Sequence, residues 1–209
     1  MIQLADLPTR RVEAWKYSDL RAAMNGVALT EARESVSTPL DGGVIAALAA
    51  QLGEIELQSV DAGKTVVRID RTPNAFAPRF LQAHVAEGAT LVRVVVQGAS
   101  DGVVLDGAHV SVAAGGAFRQ FVLAEGGKLA RVEAHVSVEG EGAAIELNAA
   151  YLTASGRHAD LTSVISHKAP GAQTRQLIKG VAAKGGRGVF QGKIVVERAA
   201  QKTDARQYH

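Results

Sequence analysis

Two histidines and an aspartate near residue 160 have the types and spacing that come closest to a metal site. His158 and Asp160 lie two positions apart, so on a β-strand both side chains point to the same side, and His167 follows shortly after. Imidazole and carboxylate groups suit zinc or iron. The alternative, which we favour, is a solvated strand face or a structural hydrogen bond, so we expect no metal or cofactor site in this chain.

Hydrolytic and nucleotide-binding patterns are incomplete. Asp160, Ser163, Ser166 and His167 could be drawn as a hydrolytic triad, but no Gly-x-Ser-x-Gly motif accompanies them. Lys179-Gly180 lacks the spacing of a phosphate-binding loop. The chain contains no cysteine, which excludes a thiol nucleophile, a disulfide and a thiolate-ligated metal within it. We therefore expect no catalytic residues.

Composition indicates a folded chain with a core of small side chains. Hydrophobic residues make up 47% of the 209 residues and aromatic residues only 4%, so Val, Ala, Ile and Leu must fill the interior. The formal net charge is +2 and no dense basic stripe is present, so nucleic-acid binding is not expected. No signal peptide and no membrane-spanning apolar run are found, which predicts a soluble, cytoplasmic protein with no membrane partner.

Residues 1–53 are predicted to form a helical region that would position the rest. A first helix is expected over residues 9–23, ended by Asn25-Gly26. A second helix has Thr38 as its N-cap, Val44 to Leu52 at helical spacing, and Gly53 at its end.

From residue 54 to residue 209 the apolar period changes from that of a helix to that of a strand. Within Arg131–Val138 the valines and Ala134 alternate with polar residues, so we expect the two sets to face opposite ways. A short helix is predicted around Phe80–Val85. Strand-like runs are predicted at 54–60, 65–70, 91–96, 103–112, 118–123, 129–138, 144–152, 161–166, 174–181 and 189–196.

Glycine-rich connections separate these runs, whose starts recur at intervals of roughly 11–16 residues, as in stacked architectures. A β-sandwich and a right-handed parallel β-helix fit this pattern about equally well. A left-handed β-helix requires a hexapeptide repeat that the sequence lacks.

Two parts of the chain resemble the SufB/SufD family of iron–sulfur cluster assembly proteins. Residues 7–20, LPTRRVEAWKYSDL, resemble the N-terminal signature of the SufD branch, with Glu13, Trp15 and Tyr17 as motif residues. Segments at 158–167, 178–180, 188–196 and 200–205 resemble the core that both branches share. This second motif includes Lys179, Gly180 and Gly192.

The resemblance implies the right-handed parallel β-helix and a non-catalytic scaffold role in the SUF complex. SufB-like and SufC-like subunits are the implied partners, and an iron–sulfur cluster is implied for the full complex only. His158, Asp160 and His167 would then organise the coil or the contact with the SufB-like subunit. The alternative function is that of a β-helical enzyme acting on a carbohydrate or an acyl donor.

The family pattern also continues beyond residue 205 with more β-helix, a Cys/His segment and a C-terminal helical domain. We therefore expect these residues to be the front part of a longer protein. Its last coil would then be uncapped, which predicts self-association through that end.

Overall fold

The computed structural model describes residues 2–27, 43–52, 54–74 and 76–209, and β-strands dominate it. All strand pairings among these residues are parallel, within two six-stranded sheets. The strands are β1 (Ile55–Val60), β2 (Thr65–Arg71), β3 (Arg79–Val85), β4 (Thr90–Gln97), β5 (Val103–Val112), β6 (Ala117–Ala124), β7 (Leu129–Val138), β8 (Ala144–Thr153), β9 (His158–His167), β10 (Gln173–Ala182), β11 (Arg187–Val196) and β12 (Asp204–Tyr208).

Successive strands alternate between the two sheets. The odd sheet has the order β1-β3-β5-β7-β9-β11, and the even sheet has the order β12-β10-β8-β6-β4-β2. One odd and one even strand therefore make one rung of a coil, and six rungs stack into a parallel β-solenoid. The β-helix expected from the family resemblance is confirmed, and the β-sandwich alternative is wrong because a sandwich is built from antiparallel strands. The right-handed sense of the coil stays a prediction.

Small aliphatic side chains fill the space between the two sheets, as the composition predicts. In β3, Leu81, Ala83 and Val85 point inward and join one buried cluster with Phe118 of β6 and Ile145 of β8. Burying one such valine or leucine contributes about 1.5–3 kcal/mol. Each rung is thus stable only when a neighbour covers its inward residues.

A charged network occupies the same interior near the first rungs. Arg93 is 1% exposed, and its guanidinium donates to Asp70 of β2 and to Asp106 of β5, each at 2.7 Å. Gln120 of β6 accepts a third hydrogen bond from Arg93 at 3.2 Å. Arg68 binds Asp70 from the other side at 2.7 Å. Burial acts to raise the pKa of Asp70, but the hydrogen bond and charge of Arg68, with those of Arg93, outweigh it and hold that pKa below its ordinary value.

Two expectations about the strand region need correction. The helix predicted around Phe80–Val85 is wrong, because these residues form β3, with Leu81, Ala83 and Val85 alternating into the core. Pairing with β1 and β5 on both sides overrides the ambiguous local pattern. The sequence pattern also missed β12, a short exposed strand that pairs with β10.

The N-terminal region contains less helix than predicted. The helix expected over residues 9–23 is wrong: the structure has a 3-10 turn at Glu13–Trp15 and a single-turn helix α1 at Leu20–Ala23, with a further 3-10 turn at Leu4–Asp6. Gly26 has a positive φ of +84°, as expected for the residue that ends the segment. The second helix is confirmed as α2, Gly43–Leu52, whereas Thr38 and Gly53 lie outside the described residues.

Helix α2 and the N-terminal turns cover part of the outward face of the odd sheet. Ile45 and Leu48 of α2 pack in one buried cluster with Leu20 of α1 and with Phe80 and Leu105, which are outward residues of β3 and β5. The chain thereby forms a second hydrophobic core on one side of the coil.

The outer edges of β11 and β12 pair with no strand among the described residues, and self-association there stays a prediction.

The interior network generates a stability prediction. Replacing Arg93 with Met leaves the buried carboxylate of Asp106 without its ion-pair partner, and removing one member of a buried pair costs about 3–5 kcal/mol. Urea unfolding followed by circular dichroism should show this loss. The double variant Arg93→Met/Asp106→Leu should recover part of it, and Arg175→Met, at an exposed site, should change little. Equal effects of Arg93→Met and Arg175→Met would contradict the assignment.

Candidate functional site

The N-terminal clasp, which we define as residues 2–27, packs one aromatic ring against a charged residue of the odd sheet. Trp15 is 4% exposed, and its ring lies over the guanidinium of Arg131 in β7, with 4.0 Å from the Arg131 Cζ to the ring centroid. Aromatic rings attract cations at this distance, most strongly where water is excluded. Tyr17, two positions further on, is 41% exposed. Trp15 therefore anchors the clasp and Tyr17 does not.

Beneath Trp15 lies a buried network of charges on the outward face of the odd sheet. Arg131 is fully buried and donates to Asp160 of β9 and to Glu133, its neighbour on β7, each at 2.8 Å. Ser18 of the clasp donates its hydroxyl to Asp160, and Thr162 donates to the other oxygen of that carboxylate at 3.1 Å. The clasp thus completes the hydrogen bonding of the Asp160 carboxylate, which would lack the bond from Ser18 in the coil alone.

The protonation equilibria of this network are shifted by its burial. Burial acts to raise the pKa of Glu133, but its hydrogen bond with His135 and the charge of Arg131 outweigh this and hold that pKa below its ordinary value. Burial lowers the pKa of His158, against the opposing effect of Asp160. The Ser18 hydroxyl oxygen lies 3.4 Å from His158 Nε2. The site therefore favours the charged form of Glu133 and the neutral form of the His158 imidazole.

The structure does not bring together the three residues of the hypothetical metal site. His158 and Asp160 lie on the outward face of β9 under the clasp, whereas His167 is an inward residue that hydrogen-bonds Thr174 at 3.0 Å. Asp160 is already bound to Arg131. Among the described residues, no group of three His, Cys, Asp or Glu side chains is arranged to hold a metal ion.

The residues of the hypothetical hydrolytic triad are also separated. Ser163 points into the coil and accepts a hydrogen bond from Gln176 at 2.8 Å, whereas Ser166 and Asp160 belong to the opposite face of β9. These four residues therefore do not place a serine nucleophile next to a histidine base.

The glycines of the family-like core motif make room for side chains of neighbouring strands. A Cβ on Gly180 would lie 1.9 Å from the Tyr151 ring, and a Cβ on Gly192 would lie 2.4 Å from Oε1 of Gln207. Gly188 meets the same Tyr151 ring, at 2.0 Å. Packing between rungs thus requires Gly180 and Gly188, whereas a side chain at Gly192 would meet only the flexible end of Gln207. Lys179 is exposed on the outward face of the even sheet.

A cleft of about 600 Å³ opens between the clasp and the last strands of the odd sheet. Glu13 and Tyr17 line it on the clasp side, and Gly192 and Lys193 line it on β11. Glu13 is exposed and pairs with Lys16 at 2.6 Å. Residues from both family-like motifs therefore meet at this one surface, which makes the cleft the candidate contact site of the described chain.

Fold and site together define the class of protein. The chain is a parallel β-solenoid whose buried charges hold its own rungs and its N-terminal clasp in place. A family model described as SUF system FeS cluster assembly, SufBD core domain, matches residues 54–209. The match covers more than half of the chain, so the chain belongs to the SufB/SufD family, and its role lies in SUF iron–sulfur cluster assembly.

Comparisons with curated proteins and with solved structures found no match to this chain. The clasp, which carries the SufD-like signature, lies outside the matched residues, so the SufD branch stays a prediction. No helix in the described part of the chain has the length and apolar character needed to cross a membrane.

The contrast between Trp15 and Tyr17 gives a matched pair of variants. Trp15→Ala should release the clasp, because loss of a buried Trp side chain costs about 3–5 kcal/mol. Amide exchange and limited proteolysis should both become faster within residues 2–27, while the strands remain protected. Tyr17→Ala removes an exposed ring and should leave exchange nearly unchanged. The assignment fails if the two variants behave alike.

The lowered pKa of His158 gives a pH dependence with a defined sign. The unfolded chain takes up the proton near the ordinary value of 6.5, whereas the folded chain resists it, so the unfolding free energy should fall as pH drops below about 7.5. The lowered pKa of Glu133 affects the unfolding free energy in a separate pH range, below the ordinary glutamate pKa of 4.5.

His158→Gln should therefore flatten the dependence between about pH 7.5 and pH 5.5, as measured by urea unfolding at each pH. Burial also lowers the pKa of His167, so part of the slope should remain until His167→Gln is added. A double variant with the wild-type slope would show that other groups cause it.

Proposed function

We propose that this chain is a non-catalytic scaffold subunit of the SUF iron–sulfur cluster assembly complex, from the SufD branch of its family. The observation that carries the proposal is the match of residues 54–209 to the SufBD core domain. The resemblance of residues 7–20 to the SufD signature supports the choice of branch. A SufB-like subunit and a SufC-like ATPase are the proposed partners.

The shape of the solenoid supports a scaffold role. Its strands are held in register over six rungs, which gives a rigid surface that runs across several strands. The cleft beside β11 collects Glu13, Tyr17 and Lys193 from separate parts of the chain. We assign the contact with the SufB-like subunit to this cleft.

The cluster is cargo of the complex in this proposal. Protein iron–sulfur clusters are held chiefly by Cys thiolates, and these 209 residues contain none. The ligands therefore come from a partner or from another part of the assembly. Catalysis, including ATP hydrolysis, belongs to the partners as well.

Co-purification tests the proposal. The tagged full-length gene product, expressed together with the SufB-like and SufC-like subunits of the same organism, should retain both on an affinity column. Lys193→Glu, in the cleft, should weaken this retention. The control Lys64→Glu changes an exposed residue in the connection between β1 and β2 and should not weaken it. A β-helical enzyme would retain neither subunit, and that result would reject the scaffold role.

The purified complex and the 209-residue chain alone should also differ after iron and sulfide are supplied. The complex should develop the visible absorption of an iron–sulfur cluster, and the chain alone should not. A stable cluster on the chain alone would show that its own residues provide ligands.

A further inference from the structure

The outward face of the even sheet presents a row of side chains that runs across all six strands. Register partners place one residue of each strand in this row: Ile69, Val94, Phe121, Asn148, Leu177 and Tyr208. All of them except the asparagine are apolar or aromatic. Ile69, Phe121 and Leu177 are 62%, 43% and 44% exposed, so no described element buries the row. Exposed apolar surface of this kind on a folded domain marks an interaction site.

The odd sheet shows how this coil covers such a row. Helix α2 packs against three consecutive strands of that sheet, β1, β3 and β5. Its Ile45 lies in one buried cluster with Phe80 of β3 and Leu105 of β5. A Cβ on Gly107 of β5 would lie 3.1 Å from Ile45 Cγ2, which shows how closely the helix approaches the sheet. A single helix can therefore cover outward residues of several rungs at once.

The repeat of a helix also matches the spacing of the strands. Residues on one side of a helix recur every three or four positions, which is about 4.5–6 Å along its axis. Adjacent strands lie about 4.8 Å apart, so a helix that lies across them sets about one residue against each strand. The row on the even sheet is roughly 24 Å long, which corresponds to a helix of roughly 16 residues.

The charged side chains beside the row are mainly basic. Within the six strands, the outward cations are Arg71, Arg119, Arg175, Lys179 and Arg206, and the outward carboxylates are Glu146 and Asp204. Glu146 pairs with Arg119 at 3.9 Å, and Asp204 pairs with Arg206 at 3.2 Å and with Arg175 at 3.7 Å. The face therefore has an excess of three positive charges, which are exposed to solvent.

These cations lie on both sides of the row. Arg71 and Lys179 follow the row residue of their strand by two positions, whereas Arg119 and Arg175 precede theirs by two. Residues two apart on a strand point to the same side of the sheet. An occupant that fills the row thus meets cations along both of its flanks, and acidic flanks would complement them.

We propose that this face binds an amphipathic helix of another protein, which lies across the strands with its apolar side on the row and acidic residues on both flanks. The apolar row provides the buried area of the contact. The cations select an acidic partner over a basic one. The face belongs to the opposite sheet from the cleft, so the proposal does not depend on the proposed contact with a SufB-like subunit.

Fluorescence anisotropy with synthetic peptides tests the proposal on the 209-residue chain. The probe is a helix-forming peptide of roughly 18 residues made of Leu, Ala and Glu, with Leu on one side and Glu on both flanks. This acidic peptide should bind saturably. A matched peptide with Lys in place of each Glu should bind at least about tenfold more weakly. A scrambled peptide, which keeps the charge of the acidic peptide but has no apolar side, should show a similar loss.

Variants of the chain assign the binding to this face. Phe121→Glu, near the centre of the row, should weaken binding of the acidic peptide at least about tenfold. The control Leu57→Glu changes an exposed apolar residue of the odd sheet and should leave the affinity unchanged. The double variant Arg71→Glu/Lys179→Glu should bind the acidic peptide more weakly and the Lys peptide more tightly than the wild-type chain does. Circular dichroism should confirm that each variant folds.

Three results would overturn the proposal. The first is no saturable binding of the acidic peptide by the folded wild-type chain. The second is equal binding of the acidic and scrambled peptides, which would indicate attraction by net charge alone. The third is peptide binding that the folded Phe121→Glu and Arg71→Glu/Lys179→Glu variants both retain, because that result would place the peptide on another surface.

Discussion

Successive rungs pair in parallel register, and this pairing decides the neighbours of every side chain on both sheets. Because the side-chain period of a strand is two, each strand delivers one set of residues inward and the other set outward, and the register stacks these sets into rows. Inward rows become the core, and charges enter it only where adjacent strands supply partners, as Asp70 and Asp106 do for Arg93. A register shift of one residue would exchange the inward and outward side chains of a strand.

Much of this architecture could be predicted, because local pattern and tertiary structure agree in most of the strand region. Val103–Val112 and Leu129–Val138 are strands with the bounds that the sequence indicated. The strand pattern alone could not decide between the coil and the sandwich, since short alternating strands with glycine-rich connections suit both. Only the resemblance of residues such as those at 188–196 to a known family favoured the coil.

The remaining differences arise where long-range contacts override the local pattern. Arg131 and Glu133 alternate with valines as solvent-facing residues would, yet both are buried, and Trp15 of the clasp covers Arg131. Nothing near residue 131 in the sequence indicates Trp15 as its cover. Likewise His109 and His135 are distant in sequence but are direct register partners on β5 and β7. Such neighbours are known only when the register between rungs is known.

The two outward faces of the coil therefore differ in the kind of surface that can cover them. The odd sheet buries Arg131 and Asp160, and a buried charge tolerates only a cover that supplies the matching hydrogen bonds, which Ser18 does from within the same chain. The outward face of the even sheet instead exposes apolar residues such as Phe121 beside the solvated charges of Arg119 and Glu146, and no described element covers them. A cover on that face would meet no buried charge, so it would not need to supply specific hydrogen bonds.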